Sequence, residues 1–314
     1  MLELNDVYLE IADRCFSSCA MCDTKSQHNA RLSIANARHI FTTLKTFNCK
    51  KVRFTGKEPM ANSELPDFLV MCRKEGMHTD VLTTLLGPEW MIPYLANSDI
   101  IRVSLSNIGR NYHRYFGVHK WPLFMRNFSA LIEERSKVFD KTIIVNYTIF
   151  SGNAYYSEIS AFVAFINVMQ KLHNIKFIVH FFPAMEIIGS RNYDAVMIHE
   201  MYENELKSAE FAHVLTKDNF SVQMHSCDMG RRHWYITTDG DIYPCCMSGG
   251  ELGQRRHKEL LLGNIYTSSI EELGDESSKH LSNLCNPTCS NCTPKYFKQM
   301  PQSFRVQPTC RTKH

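Results

Sequence analysis

A regular alternation of short β-branched runs with amphipathic runs constrains this chain more than any other feature of its sequence. Val7-Tyr8-Leu9-Glu10-Ile11 reads as a strand, and from Ile34 to Lys45 the residues Ile34, Ala37, Ile40, Phe41 and Leu44 recur at helical spacing. The pattern then repeats. A strand at Lys51 to Phe54 is followed by a helix at Leu65 to Lys74, a strand at Thr79 to Thr83 and a helix at Pro88 to Ala96, with Pro88 in its opening turn. A strand at Ile100 to Leu105, a longer helix from about Trp121 to Lys137 and a strand at Ile143 to Ile149 come next, and a helix at Tyr155 to Leu172 and a strand at Ile175 to Phe181 complete six β/α units. Alternation of this kind predicts an α/β fold, a parallel sheet with helices outside, and six units suit an open, partial (β/α)6 TIM-like barrel. No self-similar period appears. At 314 residues the chain is long enough for one large core and a small appended domain.

Cys15, Cys19 and Cys22 stand in the spacing C-x3-C-x2-C on a predicted loop leaving the first strand. Ligands favour that carboxyl end of a parallel α/β sheet. Three thiolates can hold a four-iron cluster and leave its fourth iron open to a small molecule. Zinc is the rival, but a structural zinc takes four closed ligands, usually from two paired half-sites, and no local fourth ligand is evident here. Twelve cysteines without a basic n-region and apolar h-region at Met1 to Asp6 point to metal or redox chemistry in a reducing compartment, the cytoplasm. The most apolar stretch, Phe177 to Gly189, contains His180, Pro183 and Glu186 and is too short to span a bilayer, so no membrane role is expected. Cys49 and Cys72, beside a strand and within an apolar helix stripe, read as buried small hydrophobes.

A second cysteine-bearing region begins near His225. Trp234-Tyr235-Ile236-Thr237, Thr238-Asp239-Gly240-Asp241 and Ile242-Tyr243-Pro244-Cys245-Cys246 read as a β-hairpin with an Asp-Gly turn that presents a cysteine. Leu262-Gly263-Asn264-Ile265 precedes a short helix at Ser269 to Leu273, and Cys285-x3-Cys289-x2-Cys292 closes the region. Four sulfurs can converge here, a set that either zinc or an iron-sulfur cluster accepts. Cys246 directly follows a candidate ligand, so its thiol is a candidate hydrogen-atom donor; the plainer reading is a Cys-Cys pair with no chemical role. A zinc-ribbon nucleic-acid binder would use Arg231-Arg232-His233 and Arg255-Arg256-His257-Lys258. Residues 221–314 carry 11 Lys and Arg against 9 Asp and Glu, a net of only +2, and show no DNA-reading helix, which argues against nucleic acid as a partner. The tail from Lys295 to His314 has five Lys or Arg and no acid, and reads as a solvated end.

The cysteine triad resembles the signature of the radical S-adenosylmethionine (SAM) enzymes, in which a bulky apolar or aromatic residue precedes the third cysteine, as Met21 does here. The likeness continues at Arg53-Phe54-Thr55-Gly56-Lys57-Glu58-Pro59, similar to the Gly-Gly-Glu-Pro segment that receives the methionine amino group of SAM. Lys57 occupies the second glycine position, and a positive φ there would cost about 1 kcal/mol. The hairpin, the Gly-x4-Cys ending at Cys245, the Leu-Gly-Asn-Ile segment and the closing C-x2-C resemble the appended SPASM and twitch domains, with a ligand spacing similar to that of the butirosin-pathway dehydrogenase.

The resemblance implies a division into a barrel at 1–220, a twitch/SPASM-like domain at 221–300 and a basic tail at 301–314. It implies Cys227, Cys245, Cys289 and Cys292 as ligands of one auxiliary 4Fe-4S cluster, since only Cys310 lies beyond; Cys285 and Cys310 are spare or alternative ligands. By position at strand ends, Thr83, Thr84, Ser104, Ser106 and Asn146 are candidates for the rest of SAM, the alternative being that they cap helices or close turns. The implied chemistry is one-electron cleavage of SAM to methionine and a 5′-deoxyadenosyl radical that abstracts hydrogen from a C–H bond, with electrons from a donor such as flavodoxin or ferredoxin. Oxidation of a polar small molecule, with the auxiliary cluster accepting the second electron, is the leading outcome. Epimerisation through Cys246 and maturation of a ribosomal peptide are the alternatives. The first strand begins by Val7, leaving no room for a leader-recognition domain, which counts against the peptide route.

Overall fold

In a computed structural model of the chain, the residues described are 3–19, 22, 29–138, 142–149, 153, 156–183, 212–214, 232–244 and 260–282. The strands are β1 (Asp6–Glu10), β2 (Lys51–Thr55), β3 (His78–Thr83), β4 (Ile100–Ser104), β5 (Thr142–Ile149), β6 (Lys176–Pro183), β7 (Ala212–Val214), β8 (His233–Ile236), β9 (Asp241–Tyr243) and β10 (Gly263–Asn264). The helices are α1 (Ile34–Thr46), α2 (Leu65–Lys74), α3 (Ile92–Ala96), α4 (Tyr112–Phe116), α5 (Trp121–Ser136), α6 (Tyr156–His173) and α7 (Ile270–Ser282).

Strands β1 to β6 lie side by side in chain order and all parallel, with β1 register Val7–Val52 and Leu9–Phe54 against β2. This is the expected α/β arrangement. Among the described pairings β1 and β6 do not meet, so the barrel is open: β6 pairs with β7 on one edge and β1 pairs with β8 on the other, both parallel. The predicted hairpin is β8–β9, and β10 adds antiparallel to β9. Its first strand is thus a seamless continuation of the barrel sheet, bonded to β1 from Asp6–His233 to Leu9–Ile236.

Alternation along each strand sends one set of side chains to the helices and the other to the barrel interior. Val7, Leu9, Val52, Phe54, Val103, Val145 and Val179 are fully buried on the helix side, each contributing about 1.5–3 kcal/mol of burial for the larger ones. They belong to one core with Ile40, Phe41 and Leu44 of α1 and Phe68 and Leu69 of α2, the Phe41 and Phe54 rings standing edge to face at 6.2 Å. Cys49 and Cys72 are buried in this layer, as expected.

Helix starts follow local chemistry. The Ser33 side chain accepts from Asn36 N–H at 3.2 Å to cap α1, and prolines stand in the first turns of α2, α3 and α5. The expected helix from Pro88 to Ala96 is instead a 3-10 turn (Glu89–Met91) followed by α3. Pro93 has no N–H to donate to the Glu89 carbonyl, so a continuous helix cannot pass through it. Arg135 of α5 is buried and donates to the carbonyls of Ala96 (2.7 Å), Ser98 (2.5 Å), Asp99 (3.1 Å) and Thr142 (3.2 Å), fastening the end of α3 to the start of β5. No helix among the described residues is long and apolar enough to cross a membrane.

Candidate functional site

The cysteine loop leaves the carboxyl end of β1, and its base is closed by short-range pairing. Leu32 N–H donates to Ile11 O at 3.0 Å, Asp13 N–H donates to Ala30 O at 2.9 Å, and Ala12 and Arg31 form an antiparallel bridge. Asn62, itself 1% exposed, clasps both ends of the loop: its Nδ2 donates to Ile11 O at 2.8 Å and Leu32 O at 2.9 Å, while its Oδ1 accepts from Glu64 N–H at 3.0 Å. Within the loop the Ser17 hydroxyl lies 3.1 Å from Cys15 Sγ and 3.4 Å from Cys19 Sγ, and Cys22 N–H donates to Cys19 O at 3.0 Å. Ser17 thus bridges the Cys15 and Cys19 thiols, and Cys22 is tied to Cys19 through the backbone, although the three side chains do not converge on one metal-holding point.

Burial pushes the Cys19 thiol up to about 12, against the lowering contact with Ser17, and Cys15 and Cys22 beside it push the same way. Cys15 is raised too, first by burial and next by the Glu58 carboxylate. Neutral thiols held this close would lose protons on binding a metal, which is how a thiolate site couples metal affinity to pH.

The segment after β2 closes over the loop. Gly56 has φ +121°, and a Cβ on it would stand 2.6 Å from Ala12 O and 3.1 Å from Glu10 Cγ, so the close approach of the two loops requires glycine here. Lys57 does not share this conformation: the non-glycine residues with positive φ are Asn29, Asn48, Leu85 and Asn174 among those described. The cost anticipated for a lysine at the second glycine position is therefore absent. Its N–H donates to Ala12 O at 3.1 Å, and its ammonium pairs with the Asp13 carboxylate, both side chains being nearly buried.

Glu58 is fully buried at the start of the next turn. Its carboxylate accepts from Thr83 Oγ1 (2.6 Å), Thr84 Oγ1 (2.5 Å), Thr84 N (2.8 Å) and Met60 N (3.1 Å). Burial pushes its pKa up, and the donors from Thr83 and Thr84 oppose that. No ion pair to Glu58 occurs among the described residues, since the neighbouring Lys57 is directed to Asp13. A buried carboxylate near Cys15, with no cation paired to it among the described residues, suits a ligand that brings its own positive charge, and in this the residues present fit SAM.

The strand-end candidates divide into two groups. The hydroxyls of Thr83 and Thr84 are given to Glu58. Ser104 and Asn146 are paired in register across β4 and β5, and Asn146 is paired with His180 of β6. All three alternate with the helix-facing Val103, Val145 and Val179, so they form a polar row on the barrel interior. Ser106 is fully buried; its Oγ accepts from Thr148 N–H at 3.0 Å and its carbonyl from Asn153 Nδ2 at 2.6 Å, a turn-closing role.

Sequence reading passed over Asn62, His180 and the two tyrosines Tyr112 and Tyr115 of α4. His180 was legible as a polar residue in an apolar strand; the others carry no motif. Burial pushes the Tyr115 hydroxyl up to about 12 with Cys19 adding to it, while contacts to Thr148 and Ser106 lower it. Helix α4 rests on the cysteine loop, with Ser18 N–H donating to Phe116 O at 2.9 Å and Lys120 Nζ donating to Phe16 O at 3.1 Å.

Met21, Cys227, Cys245, Cys246, Cys285, Cys289, Cys292, Cys310 and the basic tail lie outside the described residues. What is described of the C-terminal region leads up to them. Thr237 N–H donates to Asp241 O at 3.0 Å and Gly240 N–H to Thr237 O at 2.9 Å, closing the hairpin turn; Asn264 Nδ2 donates to Asp239 O at 3.0 Å and Asp241 Oδ1 at 2.9 Å. The hairpin is fixed to the barrel by Tyr235, whose hydroxyl donates to Glu10 at 3.0 Å, and to α7 by Trp234 Nε1 donating to Ser277 Oγ at 3.1 Å.

Comparison with known proteins follows the same division. Residues 9–154 match the radical SAM superfamily and residues 227–293 match the SPASM iron-sulfur cluster-binding domain. No curated protein matches the chain. Among solved structures, Streptococcus suis SuiB bound to S-adenosylmethionine is similar at 16% identity and TM-score 0.63, covering 93% of this chain and 71% of that one. SuiB bound to its precursor peptide SuiA gives 16% identity and TM-score 0.62 over 83% of this chain, which spans 64% of the length of that one. The structure of anSMEcpe with bound AdoMet and Cp18Cys peptide gives 14% identity and TM-score 0.64, covering 92% of this chain and 86% of that one. At these identities the likeness is one of fold.

Proposed function

Because this chain is a radical SAM protein with a C-terminal SPASM domain, we propose that it abstracts hydrogen from a C–H bond of a polar substrate held in the barrel interior and oxidises it by two electrons. The observation that carries this reading is the interior row of Ser104, Asn146 and His180, in register across three strands. A barrel built for an apolar substrate would line that row with apolar side chains, because burying polar side chains against such a ligand costs their hydration.

In this reading Cys15, Cys19 and Cys22 hold the first 4Fe-4S cluster, while Glu58, with the backbone of Gly56 and Lys57, receives the amino group of SAM. Met21 serves the remainder of that cofactor and Thr83 holds Glu58 in place, while Ser104 and Asn146, candidates for SAM by position, face the substrate together with His180 in this reading. Cys227, Cys245, Cys289 and Cys292 hold the auxiliary cluster. With both bound, the cofactors supply one-electron reductive cleavage of SAM and an acceptor for the substrate's second electron, the first electron arriving from a donor such as flavodoxin or ferredoxin. The protein's task is to exclude water and fix the target carbon. The interior behind Glu58 suits this, since Glu58, Thr83, Thr84 and Ser106 are all buried.

A peptide substrate is the second reading. It is favoured by the peptides held in the SuiB and anSMEcpe structures. Anaerobic protein with dithionite and SAM is expected to form deoxyadenosine, and Cys15→Ala, Cys19→Ala or Cys22→Ala to abolish it; deoxyadenosine from these variants would remove the reading. With substrate in heavy water, an oxidised product without label supports electron transfer to the auxiliary cluster. Deuterium in a product of unchanged oxidation state, lost in Cys246→Ala, would instead establish epimerisation.

A further inference from the structure

Tyr112 is a buried residue with an unspent donor. It is 1% exposed, and its hydroxyl has no hydrogen-bond partner among the described residues. The ring cannot swing away to find one. It is stacked on Phe116 at 4.2 Å and packed against Trp121 and Phe124, each at 5.5 Å. An unsatisfied buried hydroxyl lowers stability, and a phenylalanine would fill the same stack without that penalty.

Tyr112 stands on α4, the helix that rests on the cysteine loop. Burial pushes its pKa up, and Cys19, Glu58 and Cys15 add to that in this order. Helix α4 is fixed to that loop through Ser18 and Phe116. Glu58 is already supplied by four donors. The neighbouring Tyr115 differs in having its hydroxyl engaged with Ser106 and Thr148.

We propose that the Tyr112 hydroxyl donates a hydrogen bond to a sulfur of the iron-sulfur cluster held by Cys15, Cys19 and Cys22, and so favours the cluster's reduced state. This rests on the iron-sulfur reading of the triad given above. A donor aimed at a cluster sulfur stabilises the extra negative charge of the reduced form, one of the ways a protein sets such potentials.

The test is Tyr112→Phe in the full chain, reconstituted anaerobically and compared with wild type at equal iron content. The cluster in question is identified as the one whose reduced electron paramagnetic resonance signal changes on adding SAM, and it is titrated without SAM. The expected result is a several-fold lower ratio of reduced to oxidised cluster at a fixed solution potential, with Tyr115→Phe leaving that ratio unchanged. Without iron, Tyr112→Phe is expected to unfold at the same denaturant concentration as wild type or a higher one, because the orphaned hydroxyl is gone. An unchanged ratio in iron-replete Tyr112→Phe overturns the proposal while leaving the iron-sulfur reading intact. So does an unchanged ratio accompanied by weaker SAM binding, which would assign the hydroxyl to SAM. A wild-type chain that takes up no iron, or shows no SAM-sensitive signal, overturns the reading and the proposal together.

Discussion

Gly56→Ala isolates the close approach of the two loops that frame the cysteine triad. Two costs add. At φ +121° an L-residue is strained by about 1–3 kcal/mol. The new methyl also stands 2.6 Å from Ala12 O, well inside contact distance, and Ala12 O accepts Lys57 N–H at 3.1 Å, so retreat of either strand end stretches that bond and forfeits about 1 kcal/mol. The total is about 2–4 kcal/mol. Gly76 provides the comparison: it too has positive φ, +82°, but a Cβ there meets nothing within 4 Å, so Gly76→Ala carries the backbone cost alone, about 1–2 kcal/mol. Chemical denaturation of the two variants separates the terms. Because Ala12 is three residues from Cys15, Gly56→Ala is also expected to lower iron bound per chain after reconstitution, whereas Gly76→Ala is not. If the two variants unfold at the same denaturant concentration with equal slopes, the contact with Ala12 has no energetic meaning and the account of why glycine stands at 56 fails.

Other substitutions probe the same frame. Asn62→Leu keeps the bulk but strands the acceptors at Ile11 and Leu32 and the Glu64 N–H, a loss of about 2–4 kcal/mol with lower iron occupancy although no thiol is touched; unfolding curves and iron assays check both. Glu58→Gln is expected to weaken SAM binding by about 1.5–3 kcal/mol, roughly 10- to 100-fold, measured by calorimetry on the iron-replete protein. Since the Glu58 pKa is raised by burial above its ordinary 4.5, wild-type affinity is full while the carboxylate is ionised and falls as pH drops through that raised value; the glutamine variant shows no such fall. Burial alone would raise Asp99, but the N–H and hydroxyl of Thr79, both at 2.7 Å, hold it below its ordinary 3.8. Its contribution is thus present above the unfolded value near 4 and lost as pH falls through the lower folded value; because the side chain is more than a third exposed and screened by solvent, Asp99→Asn is expected to lower stability only slightly at pH 7 and progressively less below pH 4, as read from unfolding midpoints.

What the sequence disclosed depended on how far along the chain the controlling interactions reach. The β/α alternation was legible because strand and helix periods are local, whereas the Ser33 cap of α1 and the first-turn proline of α2, equally local, went unread. Pro93 was equally visible, yet its consequence, the break between the 3-10 turn and α3, follows only when the missing donor is placed opposite Glu89. Helix α4 escaped notice because five residues show no helical period, although Gly117 at its end takes φ +65° as a helix terminator does. The parallel pairing of β8 with β1 joins residues more than two hundred positions apart, and no local pattern encodes it. It also alters the meaning of the C-terminal hairpin, which enters the sequence as the start of a separate region but stands in the structure as the next strand of the barrel.

The site shows the same division between chemistry that is named by residue type and chemistry that is made by burial. Cysteines, a glycine and a glutamate at fixed spacing announce themselves. Lys57 does not: as a letter it is a defect in a glycine pair, whereas in the structure it has no positive φ and its ammonium answers Asp13 at the mouth of the cysteine loop. That pairing leaves Glu58 without a cation among the described residues, which is the condition for a carboxylate to prefer a charged ligand. Had Lys57 turned to Glu58, the site would be internally neutral and an incoming ammonium would have to displace it. The substitution therefore preserves the electrostatic demand of the site because of where the lysine points, a fact of geometry that spacing alone does not contain.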